Sequence, residues 1–133
     1  LRVAKKNAAS LGLDVNFFQL DFLNEDLRNA LPVFDIIVSN PPYIPLHEKT
    51  MMNKNVEEYE PSTALFAPDD DPLIFYKTLA EFGQAKLNKG GGIYAEIHET
   101  LGAQTRDLFL SQRYQIHLKK DLQEKDRMIK ATN

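Results

Sequence analysis

Apolar residues open the chain at Leu1, Ala4, Ala8 and Leu11, the spacing that lays one stripe along a helix, and Gly12 follows as a stop. The pattern then changes period. Val15 to Leu20 reads as a short strand ending at Asp21, Asn24 to Ala30 as one or two helical turns, and Phe34 to Ser39 as a strand rich in Ile and Val. From Ile44 to Asp71 the chain is polar and broken by prolines, with Met51, Met52 and Tyr59 as its larger side chains. Loops of that length are uncommon unless functional or disordered, so substrate recognition is expected there. Asp71-Pro72 pairs an N-cap residue with proline at the first helical position, predicting a helix to about Leu87 that buries Phe75, Leu79 and Phe82. It should stop near Gly90-Gly91-Gly92, a tight turn: a glycine run after a helix and before a strand is the wrong order for a phosphate cradle. Ile93, Ala95 and Ile97 alternate as a strand. Thr100 then caps a helix through about Ser111 with Leu101, Leu108 and Phe109 inward, although Gly102 weakens its first turn. Tyr114, Ile116 and Leu118 predict a further strand, and Arg127 to Ala131 a last one. Strands alternating with helices predict an α/β domain with a mostly parallel sheet and flanking helices.

Composition narrows the class without naming a chemistry. At 133 residues, 43% hydrophobic and 26% charged, the chain suits one globular domain. No apolar run reaches the length of a membrane span and no signal-peptide pattern opens the sequence, so no membrane partner is expected. The absence of cysteine excludes a disulfide scaffold and thiolate metal sites, which fits a cytoplasmic location. His98 has no second His at ligand spacing, so it reads as a surface histidine and no metal is expected. A net charge of −3 argues against a general nucleic-acid binder. Lys119, Lys120, Lys125, Arg127 and Lys130 read as a solvated face, with Arg127 in an ion pair that supports the fold.

Candidate chemistry sits directly after the Phe34 to Ser39 strand, in Asn40-Pro41-Pro42-Tyr43. Amide and exocyclic-amine nitrogens are poor nucleophiles because their lone pair is delocalised. Two acceptors aimed at the NH2 hydrogens draw the nitrogen toward tetrahedral geometry, and the Asn40 side-chain oxygen with the Pro41 carbonyl can be that pair. The two prolines remove competing N–H donors and stiffen the chain, and Tyr43 offers a flat face and a hydroxyl in need of a partner. Positioning is the main contribution of such a site, worth roughly 7–11 kcal/mol when a methyl donor is held in line. No general base is needed before transfer, since the product can lose its proton afterwards. The alternative is that Asn-Pro-Pro is a turn ending a strand; its place at a strand's C-terminal end, where open α/β sheets bind ligands, favours the clamp. Asp21 is either a turn residue ahead of a helix or a ligand, and Phe22 alone reads as core.

With the element order in hand, the chain resembles the catalytic domain of the HemK/PrmC family, the release-factor glutamine N5-methyltransferases. The likeness runs in order through Asn7-Ala8-Ala9-Ser10-Leu11-Gly12-Leu13, Asp21, Phe34 to Pro45, Glu60-Pro61 with Ala64-Leu65, the helix after Asp71, Glu96-Ile97, Asp121 and Lys125-Asp126-Arg127-Met128-Ile129. The resemblance implies a Rossmann-like fold and methyl transfer from S-adenosylmethionine to the side-chain amide of the Gln in the Gly-Gly-Gln motif of peptide chain release factors. It implies that Asn40 and Pro41 bind that amide with Pro42 and Tyr43 beside them. It also implies that Asp21 accepts from the cofactor's adenine amine, with Phe22 lining the ring's pocket and Asn40 close to the cofactor.

The family pattern also holds a Gly-rich loop after a first strand, an acidic residue after a second, and an N-terminal helical domain, none of which is found in these residues. The chain is therefore expected to be a partial catalytic domain, inactive by itself, with S-adenosylmethionine bound weakly or not at all. Strand edges left open by the missing strands are expected to invite pairing with another chain. The rival activity is N6-adenine methylation of DNA or RNA, which needs basic and aromatic surface around the site. Glu48, Glu57, Glu58, Glu60 and Asp69-Asp70-Asp71 give the loop after Tyr43 the opposite charge and favour a protein substrate. A non-enzymatic folded module is the remaining reading for the isolated chain. Glu60 is either a brace for the long loop or a solvated carboxylate, and Glu96, near a strand's end, reads as structural.

Overall fold

Leu1–Ala30 hold short helices and no strand, whereas a four-stranded sheet is built from residues beyond them. The computed structural model describes residues 1–51 and 61–133, which divide into the units Leu1–Ala30 and Leu31–Asn133, each taken by itself below.

In the first unit, helix α1 (Arg2–Ser10) ends at Leu11, and Gly12 takes φ +65°, a left-handed conformation that costs glycine little. The Gly12 N–H then reaches the Ala9 carbonyl at 3.1 Å and the Leu13 N–H the Ala8 carbonyl at 3.0 Å, satisfying the last carbonyls of the helix. Only the middle of the predicted stripe is covered: Ala8 is buried, while Leu1 and Leu11, which flank the helix, are exposed. Val15 to Leu20 is not a strand, contrary to the sequence reading. A strand exists only through a ladder partner, and the described residues offer this segment none; Val15 and Phe18 stand exposed. Helix α2 (Glu25–Asn29) forms as expected, with Asn24 Oδ1 accepting from the Leu27 N–H at 3.2 Å and acidic residues in its first turn.

In the second unit, β1 (Phe34–Ser39) is followed by β2 (Ile44–Pro45), a 3₁₀ turn (Leu46–Met51), α3 (Ser62–Leu65) and β3 (Phe66–Ala67). Then come α4 (Ile74–Lys86), β4 (Leu87–Glu96), a second 3₁₀ turn (Glu99–Leu101), α5 (Gly102–Ser111), β5 (Gln115–Lys120) and β6 (Asp126–Thr132). The main sheet has the order β1-β4-β6-β5: β1 and β4 run parallel, and β6 is antiparallel to both β4 and β5. β2 and β3 make a small parallel pair, so the segment predicted as a loop carries regular structure at both ends.

Two register alignments fix the faces of the sheet. Ile93 pairs with Ala131 and Ala95 with Ile129, and all four are buried on the side where α4 and α5 pack. The helices contribute Tyr76, Leu79, Ala80 and Phe82, together with Phe109, whose ring meets Tyr114 edge-on at 5.5 Å. Helix α4 can lie close because of Gly83: a Cβ there would come within 2.5 Å of Ile93 and of the Tyr114 hydroxyl. The alternate positions, including Ile36, Val38, Tyr94 and Met128, leave an exposed apolar face.

The helix after Asp71 begins at Ile74 rather than at Pro72, with Asp71 giving its carbonyl to the Ile74 N–H in a preceding turn. Leu79 and Phe82 are buried as predicted, whereas Phe75 is half-buried and its neighbour Tyr76 is fully buried. The glycine run lies inside β4, and the turn survives as a register shift, Phe34 pairing with Leu87 and Ile36 with Gly92. Ile97 is buried just beyond β4's end. Thr100 does not cap α5; it lies in the 3₁₀ turn capped by His98, and Gly102 begins the helix, with Leu101 and Phe109 buried and Leu108 half-buried.

Candidate active site

The parallel pairing of β1 with β4 sets Ser39 opposite Ala95, so the two strands end together and the next residues, Asn40 and Glu96, issue from neighbouring strand ends. Asn40 is exposed, Pro41 is buried, and Pro42 and Tyr43 are half-buried. Ile44 and Pro45 then pair with Phe66 and Ala67. The corner is thus fastened in the main sheet on one side and in the small sheet on the other, while its prolines resist bending between them.

Tyr43 supplies a third attachment. Its hydroxyl donates to Glu96 Oε1 at 2.6 Å, and the Tyr76 hydroxyl donates to the Glu96 carbonyl at 2.9 Å. Burial, then the hydrogen bond to Glu96 and its negative charge, push the Tyr43 phenol up to about 12, while the Arg127 cation pulls the other way. The His98 ring lies 6.1 Å from the Tyr43 ring, tilted by 57°. His98 is half-buried rather than a plain surface residue, and its Nδ1 accepts from the Thr100 N–H at 3.3 Å.

Arg127 makes the predicted ion pairs, Nε to Asp121 at 3.3 Å and Nη2 to Glu99 at 3.2 Å, and Lys125 meets Glu99 at 2.7 Å. These bonds hold Glu99 below the usual carboxylate range, the Lys125 bond foremost. Asp121 is lowered too, first by the Lys125 backbone N–H. Lys125 and Arg127 therefore belong to a network and not to a freely solvated basic face. The acidic loop is likewise partly neutralised. Asp69 accepts from the His47 backbone N–H at 3.1 Å and lies 2.7 Å from its Nδ1, and Lys77 meets Asp71 at 2.7 Å. Met52, Glu57, Glu58, Tyr59 and Glu60 lie outside the described residues.

Asp21 and Phe22 belong to the first unit. Asp21 is exposed; its Oδ1 accepts from the Leu23 N–H at 3.0 Å and its carbonyl from the Asn24 N–H at 3.1 Å, so it does form a turn ahead of a helix. Phe22 is half-buried. An exposed carboxylate beside an aromatic ring fits the amine edge of an adenine, which is the part of S-adenosylmethionine these residues suit. A cavity of about 520 Å³ opens on the exposed sheet face, lined by Asn40 and Glu96 with Val38, Tyr94, Met128 and Lys130. Among the described residues no cluster of His, Cys, Asp or Glu is arranged to hold a metal ion, and no helix is long and apolar enough to cross a membrane. Sequence reasoning missed Glu96 as Tyr43's partner and Tyr76 as Glu96's. The signal was available in part, since parallel strands of matched length place a carboxylate at the end of one beside a motif at the end of the other.

This sheet and helix order is a methyltransferase fold. A solved methyltransferase from Pyrococcus furiosus matches with a TM-score of 0.58 at 17% sequence identity, over 98% of this chain and 55% of that one. The sequence relatives are more specific. The chain is 43% identical over 133 residues to the release factor glutamine methyltransferase of Flavobacterium psychrophilum, covering 98% of this chain and 46% of that protein. It is 41% identical over 132 residues to the protein of the same name from Bacteroides thetaiotaomicron, covering 98% and 47% respectively. No family model matches. The chain belongs to the family of release factor glutamine methyltransferases, the HemK/PrmC type, and spans about half the length of the curated relatives it matches.

Proposed function

We propose that the protein to which these residues belong transfers a methyl group from S-adenosylmethionine to the side-chain amide nitrogen of the Gln in the Gly-Gly-Gln motif of peptide chain release factors. The observation that carries this reading is the Asn40–Tyr43 corner, set at the end of β1 and fastened to Glu96 by a 2.6 Å hydrogen bond. Relatives named as release factor glutamine methyltransferases support the choice of substrate.

The cofactor supplies an electrophilic methyl group, and the chain's residues do the rest. Asn40 Oδ1 and the Pro41 carbonyl accept the two amide hydrogens, which localises the nitrogen lone pair and turns it toward the donor. Pro42 keeps the second carbonyl in place and the Tyr43 ring lies against the planar amide. Asp21 accepts from the adenine amine, Phe22 lines the ring, and Asn40 adjoins the cofactor's reacting end. The proton leaves the nitrogen after transfer, so no side chain is assigned as base.

Incubating the full-length enzyme and labelled S-adenosylmethionine with a release factor or with duplex DNA tests the substrate. Label in the release factor is expected; label confined to DNA overturns the reading in favour of adenine N6. Exposed Asp69 and Asp70 and the half-buried Asp71, close to the small sheet that continues from Tyr43, favour the protein substrate because this acidity, though partly offset by His47 and Lys77, would repel a DNA backbone. The isolated 133-residue chain is a partial catalytic domain in this reading. It contributes Asp21, Phe22 and Asn40 to the cofactor and binds it weakly or not at all; micromolar affinity by isothermal titration would overturn that. The β1 edge, paired among the described residues with β4 alone, is where a second chain would add a strand.

A further inference from the structure

Glu96 joins parts of the second unit that the sequence keeps far apart. Its carboxylate accepts the Tyr43 hydroxyl across 53 positions of chain, and its carbonyl accepts the hydroxyl of Tyr76, which is fully buried in α4. The prolyl corner, the end of β4 and the helix packed beneath the sheet therefore meet at one residue. An oxygen-to-oxygen distance of 2.6 Å is at the short end for a hydroxyl donor, so the geometry holds the two groups closely. The prolines stiffen the corner internally but do not fix its orientation against β4. A contact from the corner's last residue to the neighbouring strand does. Arg127, bonded to Asp121 and Glu99, also acts on the Tyr43 phenol, but in the opposite direction to Glu96, whose effect is the larger.

We propose that Glu96 is a positioning residue for methyl transfer. By accepting the Tyr43 hydroxyl, it holds Asn40 and Pro41 at the spacing the amide requires. The inference rests on the reading of Asn40 and Pro41 as the amide clamp. It predicts that loss of the bond lowers turnover far more than it weakens cofactor binding, because Asp21 and Phe22, assigned to the adenine, lie elsewhere in the chain and Asn40 alone is shared.

A double-mutant cycle in the full-length enzyme tests it. Glu96→Ala and Tyr43→Phe are each expected to lower kcat for the release factor about tenfold, a modest share of what misplacement can cost. The KM for S-adenosylmethionine should stay within about twofold, since the loss falls on positioning. The double variant should be no slower than the slower single, and Glu96→Gln, which keeps a neutral acceptor, should recover part of the loss. An unchanged kcat in Glu96→Ala, or losses that multiply in the double variant, overturns the proposal. Should Glu96→Ala fail to fold, Glu96→Gln and Tyr43→Phe carry the cycle. A second readout needs no turnover: with fluorotyrosine at position 43, the ¹⁹F signal should titrate at lower pH in Glu96→Gln than in the parent, and an identical titration overturns the bond. If the enzyme labels DNA and not the release factor, the substrate reading fails by itself, and the same cycle is then read with DNA as acceptor.

Discussion

Two candidate binding segments, one in each unit, are held in very different ways. At the proposed amide-binding corner, Tyr43 is bonded across 53 positions to Glu96, and Ile44 and Pro45 are paired with Phe66 and Ala67. At the proposed adenine edge, Asp21 is bonded to residues two and three positions on. Long-range bonds transmit the rigidity of the sheet, whereas a local turn fixes its own few residues and no more. The difference suits the two proposed tasks: an amide nitrogen must be aimed at a carbon, while an adenine needs a partner for its amine.

The largest effect should come from the corner. Asn40→Ala in the full-length enzyme is expected to cut kcat by about 10²–10³, the range for losing one preorganised polar group at a reacting centre. Its thermal unfolding should be nearly unchanged because Asn40 is exposed; retained turnover would return the motif to a structural turn. Next comes the packing beneath it. Leu79→Ala, at a residue 2% exposed, should cost about 2–5 kcal/mol in denaturant unfolding. Phe18→Ala, at 65% exposure in the first unit, should stay within about 0.5 kcal/mol, and equal losses at the two would erase the contrast.

Asp21→Ala should raise the KM for S-adenosylmethionine about tenfold, as for one charged hydrogen bond of about 1.5 kcal/mol, with kcat little altered. A fall in kcat with an unchanged KM would place Asp21 at the chemistry instead of the adenine.

The smallest effect is a pH dependence. Burial and Glu96 raise Tyr43 from its ordinary 10 to about 12, so the unfolded chain loses this proton first. The contribution to stability is whole below pH 10, declines as pH rises from 10 to 12, and is gone above that. The denaturation midpoint should fall less across that interval in Tyr43→Phe than in the parent, and an equal fall would remove Tyr43 from the linkage.

Local signals read well wherever local chemistry decides. The Phe34 to Ser39 strand has the predicted bounds, Asn24 caps its helix, and Gly12 ends another through its left-handed φ. Reading failed where a partner decides. Val15 to Leu20 has the composition of a strand and no ladder among the described residues, and Tyr76, whose hydroxyl finds the Glu96 carbonyl, is buried more deeply than the predicted Phe75.

The residues alone determined the family, the α/β class and the stiff corner after β1, the last because an Asn and two prolines after a β-branched run restrict the chain by their own covalent geometry. Only the tertiary structure decided which groups hold that corner. Glu96 is an ordinary strand-end carboxylate in the sequence; it becomes Tyr43's partner through the parallel register that sets Ser39 beside Ala95 and brings the two strand ends together.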